Sequence, residues 1–162
     1  MKKCVFAGSF DPPTTGHKNI IDDCLKIFDK VTVAVMVNPQ KACLLEESER
    51  ERLLKKLYEG DSRVKVITFD GAAVDLLERE NTVFYVRGIR DCADLEYENR
   101  DRFASLKLKS DMVTVYLPSD KQNIEVSSSL VKNFIKFKKD FSDYIPKEIL
   151  GDFVSLLESK NV

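Results

Sequence analysis

The sequence predicts a doubly wound α/β fold on a five-stranded parallel sheet, and two observations carry that prediction. Short apolar runs rich in β-branched and aromatic residues alternate five times with segments whose apolar residues recur at helical spacing. Strand, helix and strand in succession imply right-handed crossovers, hence parallel pairing with helices on both faces. The 162 residues, 43% of them apolar, suit one domain with a continuous core. Residues from about 140 to 162 would form a C-terminal helical extension of that domain.

In chain order, strands are predicted at Cys4–Ala7, Val31–Val37, Val64–Ile67, Val83–Val86 and Met112–Leu117. Each is a predominantly apolar run, the mark of a buried strand. Ile20, Cys24 and Ile27, with Ile21, Leu25 and Phe28 beside them, give the first helix its apolar face. Leu53, Leu54, Leu57 and Tyr58 do so for the second, and Val74, Leu76 and Leu77 predict a short third. Residues 92–108 read as a longer, strongly charged fourth helix whose buried side would carry Leu95, Phe103 and Leu106. Leu130, Val131, Phe134, Ile135 and Phe137 mark a fifth. Pro146 is placed to open a sixth carrying Ile149, Leu150, Phe153, Leu156 and Leu157.

Composition narrows the function. Twenty-six Lys and Arg against 27 Asp and Glu leave a net charge of -1, so no global field draws nucleic acid or an anionic membrane, and any anion site must be local. The apolar stretch behind Met1-Lys2-Lys3 ends at Gly8, too soon for an export signal, and no run approaches the roughly 20 residues of a membrane-spanning helix. A soluble cytoplasmic protein is expected. Cys4, Cys24, Cys43 and Cys92 show no CxxC spacing and have one histidine to help them, so neither a zinc site nor a disulfide framework is read. Reduced, mostly buried thiols are expected.

In doubly wound sheets ligands bind beyond the carboxyl ends of the strands, where strand order reverses. That rule selects residues 8–17, 38–45, 68–73, 87–91 and 118–127. The first of these, GSFDPPTTGH, lies where a dinucleotide fold would place GxGxxG, and that fingerprint is missing. Gly8 and Gly16 permit close backbone approach, Pro12 and Pro13 stiffen the turn, and Ser9, Thr14 and Thr15 supply hydroxyls. His17, the sole histidine, falls at the helix start, where free N–H groups and the dipole favour an anion. A capped turn with a packed histidine is the plainer reading; the glycines and a second donor cluster outweigh it. That cluster is VSSSLVK, in which Ser127, Ser128 and Ser129 precede a helix that needs one hydroxyl for its cap. RGIR projects Arg87 and Arg90 from the fourth strand with Gly88 between them, two planar forks suited to phosphate. Surface pairing with Asp91, Asp94 or Glu96 is the alternative for these arginines. Lys41, in NPQK, would alone be read as a surface lysine.

Together GSFDPPTTGH, NPQK, RGIRDCADLEYE and VSSSLVK closely resemble the bacterial phosphopantetheine adenylyltransferases, members of the nucleotidyltransferase superfamily with a T/HxGH element. The likeness spans nearly the whole chain, and RGIR followed by DLEYE narrows it from superfamily to family. It implies a Rossmann-like nucleotidyltransferase fold and transfer of the adenylyl group of ATP to 4'-phosphopantetheine, giving dephospho-coenzyme A and pyrophosphate. It further implies catalytic roles for His17, Lys41 and Ser9. Gly8, Ser9, Phe10, His17, Gly88, Arg90, Glu98, Ser127, Ser128 and Ser129 would hold ATP. Ser9, Lys41, Val74 and Arg87 would hold phosphopantetheine. Mg2+ would bridge the polyphosphate with few direct protein ligands. A homohexamer, feedback by coenzyme A and a cytoplasmic location are implied as well. Two stretches depart from the family pattern. NRDRFASLK stands where an apolar stretch ending in asparagine is common, and Asn133 where glutamate is frequent.

Two other readings are open on the residues. A sister enzyme acting on nicotinate mononucleotide would share TxGH but lack the RGIR and DLEYE block. A noncatalytic nucleotide or coenzyme A sensor would be favoured by loss of the histidine or the phosphate donors, and none is lost.

Overall fold

The computed structural model describes residues 1–38 and 42–162. The strands are β1 (Lys3–Gly8), β2 (Lys30–Met36), β3 (Val64–Phe69), β4 (Phe84–Ile89) and β5 (Val113–Pro118). The helices are α1 (Thr15–Ile27), α2 (Glu47–Leu57), α3 (Ala73–Arg79), α4 (Cys92–Leu106), α5 (Ser128–Lys136) and α6 (Lys147–Ser159). The five strands form one sheet in the order β3-β2-β1-β4-β5, every pair parallel. The chain runs outward from the central β1 to β3, then crosses to β4 on the other side. The strand order therefore reverses between β1 and β4, the crevice where such sheets take ligands.

The two faces of the sheet are covered by different helices. Cys4 and Phe6 of β1, with Val31, Val33 and Val86, pack against Ile20, Ile21, Cys24 and Phe28 of the α1 layer. Val5, Ala7 and Ala34 point to the opposite face, against Leu76 and Leu77 of α3 and against Met112. A third cluster joins α2, α5 and α6 through Leu53, Val131, Ile149 and Phe153. Through it the C-terminal helix packs back against α2 and α5.

Four expectations from the sequence are corrected. Ile27 belongs to no apolar face: at the last turn of α1 it is 47% exposed, and the buried positions are Ile20, Ile21 and Cys24. In α4 no residue is buried; Leu95 and Phe103 face outward and Leu106 is half-buried against the α3 cluster. The inner face of that helix, with Glu98, Asp101, Arg102 and Ser105, borders a cavity that Tyr85, Arg87 and Met112 also line. The predicted loop 87–91 begins later, because Arg87, Gly88 and Ile89 extend the ladder of β4 by pairing with Tyr116, Leu117 and Pro118. Of the four thiols only Cys4 and Cys24 are buried; Cys43 and Cys92 are exposed in or next to loops.

Candidate active site

The carboxyl ends of β1 and β4 open onto a cleft of about 260 Å³, closed on the far side by the amino end of α5. Gly8, Ser9, Phe10 and His17 line it from the first loop, Arg87, Gly88 and Arg90 from β4 and its end, and Ser127 and Ser128 from α5. Glycine at position 88 lets β4 lie close to α1: a Cβ there would meet Ile20 Cγ1 at 3.0 Å, and that side chain would have to give way.

The first loop aims its histidine by capping. Thr14 is the N-cap of α1, and its hydroxyl accepts from the His17 N–H at 3.4 Å. In return the Thr14 N–H donates to His17 Nδ1 at 3.0 Å. This is a capping box in which an imidazole takes the place usually held by glutamate. Because Nδ1 accepts from an amide, the hydrogen of the neutral ring resides on Nε2. Phe10 supports the ring edge-on, with centroids 4.9 Å apart at 67°. Phe10 itself sits at φ +49°, a left-handed conformation uncommon for a side chain of that bulk. Burial first, then the charges of Arg90 and Arg87, lowers the His17 pKa to about 4. At neutral pH the side chain is therefore an uncharged donor at the dipole-positive end of α1.

Both arginines are held from α4. Arg87 donates through Nε to Glu98 at 2.7 Å and through Nη2 to the other carboxylate oxygen, and through Nη1 to the Ala7 carbonyl at 2.7 Å. Burial opposes the charge on Arg87, yet Tyr85 and Glu98 outweigh it and hold the guanidinium above its usual pKa. Arg90 donates through Nε and Nη2 to Asp94 at 2.8 and 3.0 Å. That hydrogen bond is the main reason the Asp94 carboxyl stays below its usual range. Asp94 and Glu98 are one helical turn apart, so a single face of α4 restrains both forks. Of the nearby carboxylates Asp91, Asp94 and Glu96 that could pair with these arginines, Asp94 takes Arg90, while the partner of Arg87 is Glu98. Both pairs lie within the cleft lining, so each arginine is charged, oriented and next to the open space.

The serine run divides its work. Ser127 is the N-cap of α5 and accepts from Leu130 N–H at 3.1 Å, while Ser128 donates to the Pro12 carbonyl at 2.8 Å. Ser129 is exposed and is not part of the cleft lining. Val74 is buried in α3, beside but not within the wall of the second cavity, which its neighbour Ala73 lines. That cavity, about 270 Å³, shares Arg87 and Glu98 with the cleft, so the two spaces meet at this ion pair. Lys41 lies outside the described residues.

Sequence reasoning missed three groups. Asp11 is 2% exposed and Arg50 1%, both tied to the first loop, and Tyr85 offers its ring to the Arg87 guanidinium at 5.6 Å. Arg50 gave no signal, because within ESERER it looks like any solvated helix charge. Asp11, set between an aromatic residue and two prolines, could have been read as a turn acid.

With this geometry the chain can be compared with known proteins. The Cytidylyltransferase-like family model matches residues 5–134. The phosphopantetheine adenylyltransferase of Clostridium beijerinckii is 41% identical over 155 residues, spanning 96% of this chain and 98% of that protein. The chain belongs to the phosphopantetheine adenylyltransferase family. Its relatives of that name include proteins from Clostridium botulinum strain Alaska E43, 40% identical across 95% of this chain and 97% of theirs, and from Streptococcus pneumoniae, 38% identical across 91% and 92%. Among solved structures, a putative nicotinate-nucleotide adenylyltransferase from Vibrio parahaemolyticus superposes with a TM-score of 0.68 over 95% of this chain and 99% of that one. At 21% identity that likeness shows the shared fold.

Proposed function

We infer that this member of the family transfers the adenylyl group of ATP to 4'-phosphopantetheine, forming dephospho-coenzyme A and pyrophosphate. The observation that carries the reading is the convergence of a neutral Nε2–H donor, two oriented guanidinium groups and the amino ends of two helices on one cleft that adjoins a second cavity. The cleft has the donors for a nucleoside triphosphate, and the adjoining cavity has room for the arm of the acceptor.

The reaction needs little covalent help from protein. A phosphate oxygen of the acceptor, already anionic, forms a bond to the α-phosphorus of ATP; the bond from that phosphorus to the bridging oxygen breaks, and pyrophosphate leaves with the electron pair. No general base is required, so catalysis consists of alignment and relief of charge repulsion. His17 would donate to the phosphate oxygens that gain charge, at the end of α1. Arg90, Ser127, Ser128 and Ser129, with Gly8, Ser9, Phe10, Gly88 and Glu98, would hold ATP. Arg87, Lys41, Ser9 and Val74 would hold the acceptor. Ser129 would serve through its backbone, given where its side chain lies.

Among the described residues no group of three or more His, Cys, Asp or Glu is arranged to hold a metal ion. Asp94 and Glu98, the carboxylates of the cleft, are each committed to an arginine. Magnesium would enter as the counter-ion of ATP. No helix of the described residues is long and apolar enough to cross a membrane, in keeping with a cytoplasmic enzyme. The outward Tyr97 and Phe103 of α4, 62% and 61% exposed, offer a surface for the homohexamer. Coenzyme A, which contains both substrate halves, the adenylyl and the phosphopantetheine, would compete for the same two spaces.

Pyrophosphate release from magnesium ATP tests the reading, with 4'-phosphopantetheine, nicotinate mononucleotide or no acceptor in parallel. Release with phosphopantetheine alone, with dephospho-coenzyme A as product, is the expected result. Turnover with nicotinate mononucleotide instead would reassign the acceptor. Silence with all acceptors from folded, nucleotide-binding protein would make the chain a sensor.

A further inference from the structure

Arg50 of α2 is 1% exposed and does not line the cleft, yet its guanidinium is spent on the first loop. Nη1 donates to the Ser9 carbonyl at 2.8 Å, and Nε to the carbonyl of Glu46, the N-cap of α2, at 3.4 Å. Nη2 lies 3.0 Å from Glu47 Oε1 but out of line for a hydrogen bond. Stability gives no reason for a charge at this position. Burying a guanidinium with a donor unsatisfied costs free energy, and an apolar side chain of similar volume would fill the space without that cost.

The carbonyl that Arg50 holds belongs to the peptide leading into Phe10, whose φ of +49° persists only where the surroundings impose it. The Phe10 ring is fully buried, and its centroid lies 5.5 Å from that of Phe6 and 4.9 Å from that of His17, edge-on to both. The same ring sits so close to the end of β1 that a Cβ on Gly8 would meet its Cζ at 3.3 Å. Ser9, on the other side of the held peptide, is exposed and lines the cleft.

We propose that Arg50 is a positioning residue for the cleft: by holding the Ser9 carbonyl it fixes the turn that seats the Phe10 ring against His17 and presents Ser9 to the ligand.

Because a peptide is planar and moves as a unit, rotation about its ends would displace Ser9 and Phe10 together. The planar fork explains the residue type, since it reaches the Ser9 carbonyl and the start of its own helix at once, which a single ammonium on a flexible stem does less rigidly. The inference rests on the adenylyl-transfer reading for the reaction in which the loss is measured.

Arg50→Met and Arg50→Lys test it. Arg50→Met is expected to lower kcat for pyrophosphate release by roughly 10- to 100-fold, the penalty for slight misplacement of a reacting group. Arg50→Lys, which keeps one donor, should recover part of that loss. The unfolding midpoint of Arg50→Met in denaturant should hold or rise, since the desolvation cost of the guanidinium is gone. The C2 proton of His17 should titrate at higher pH in Arg50→Met than in the wild type, because a less firmly seated imidazole is better hydrated. The charges that act on His17 are those of Arg90 and Arg87, so such a shift reports geometry and not the lost charge of Arg50. Normal turnover in Arg50→Met, an unmoved His17 titration, or a loss of activity matched by a fall in the unfolding midpoint would overturn the proposal. Guanidinium NMR of the wild-type protein needs no variant to fold: separate, slowly exchanging Nη–H signals are expected for Arg50, and averaged, rapidly exchanging ones would also overturn it. A wild-type protein that releases no pyrophosphate with phosphopantetheine would fail the adenylyl-transfer reading, while the His17 titration in Arg50→Met would still decide the positioning.

Discussion

Because His17 is the sole histidine, its protonation can be followed without assignment, and the fold makes a quantitative statement about it. Burial and the two arginines lower its pKa from 6.5 to about 4. A shift of that size, at 1.36 kcal/mol per unit, corresponds to roughly 3 kcal/mol between the charged and neutral forms. The sign follows from linkage. Between pH 6.5 and 4 the unfolded chain binds a proton that the folded one refuses, so this residue's effect on stability worsens as pH falls through that window. Above pH 6.5 both states are neutral and the term vanishes; below about 4 the full cost applies. The C2 proton of the imidazole, followed by NMR, should therefore titrate near 4 in the ligand-free protein. ATP, an anion beside Nε2, should move that midpoint upward. Denaturant unfolding at several pH values should show His17→Gln overtaking the wild type as pH drops from 6.5 to 4. The same variant should lose roughly 100- to 1,000-fold in kcat at neutral pH through loss of an oriented phosphate donor. A midpoint near 6.5, or parallel loss of stability in both proteins, would refute the account of a buried, cation-flanked imidazole.

Arg90→Ala should raise KM for ATP and Lys41→Ala should impair the phosphopantetheine step, as separate substrate titrations would show. Equal defects toward both substrates in both variants would break that division. Phe153 is fully buried in the α2, α5 and α6 cluster, so Phe153→Ala should cost roughly 3–5 kcal/mol in chemical unfolding. If the C-terminal helix were a loose appendage, that loss would be absent.

The apolar runs and helical periods mark the five strands and six α-helices found among the described residues, the strands most plainly because continuous burial shows in composition. Ends were harder to place. Arg87 and Gly88 look like loop residues, but the parallel ladder to β5 continues through them. In the fourth helix, spacing identifies Leu95 and Phe103 as apolar but cannot show that both are exposed, while the face carrying Glu98, Asp101, Arg102 and Ser105 borders a cavity. At the site, motif chemistry exposed the histidine and the arginines. What it could not expose is that the Thr14 amide holds Nδ1 and fixes the tautomer, or that Glu98, eleven residues on, occupies the Arg87 fork. The first is a contact between backbone and ring and the second joins a strand to the next helix; Asp94, four residues from Arg90, is among the partners the sequence offers.

The paired arginines set how the empty cleft meets solution ions. With each guanidinium matched by a carboxylate from α4, the two arginines that line the cleft are charge-balanced, and small anions of the medium gain little by entering. A nucleotide triphosphate can supply several acceptors at once and so displace or share both partners, whereas a lone chloride or inorganic phosphate must compete for a fork with a carboxylate already fixed in place. Selectivity for a polyanion over the salts around it is thereby built into the resting state, and capture should depend less on ionic strength than a bare basic pocket would require.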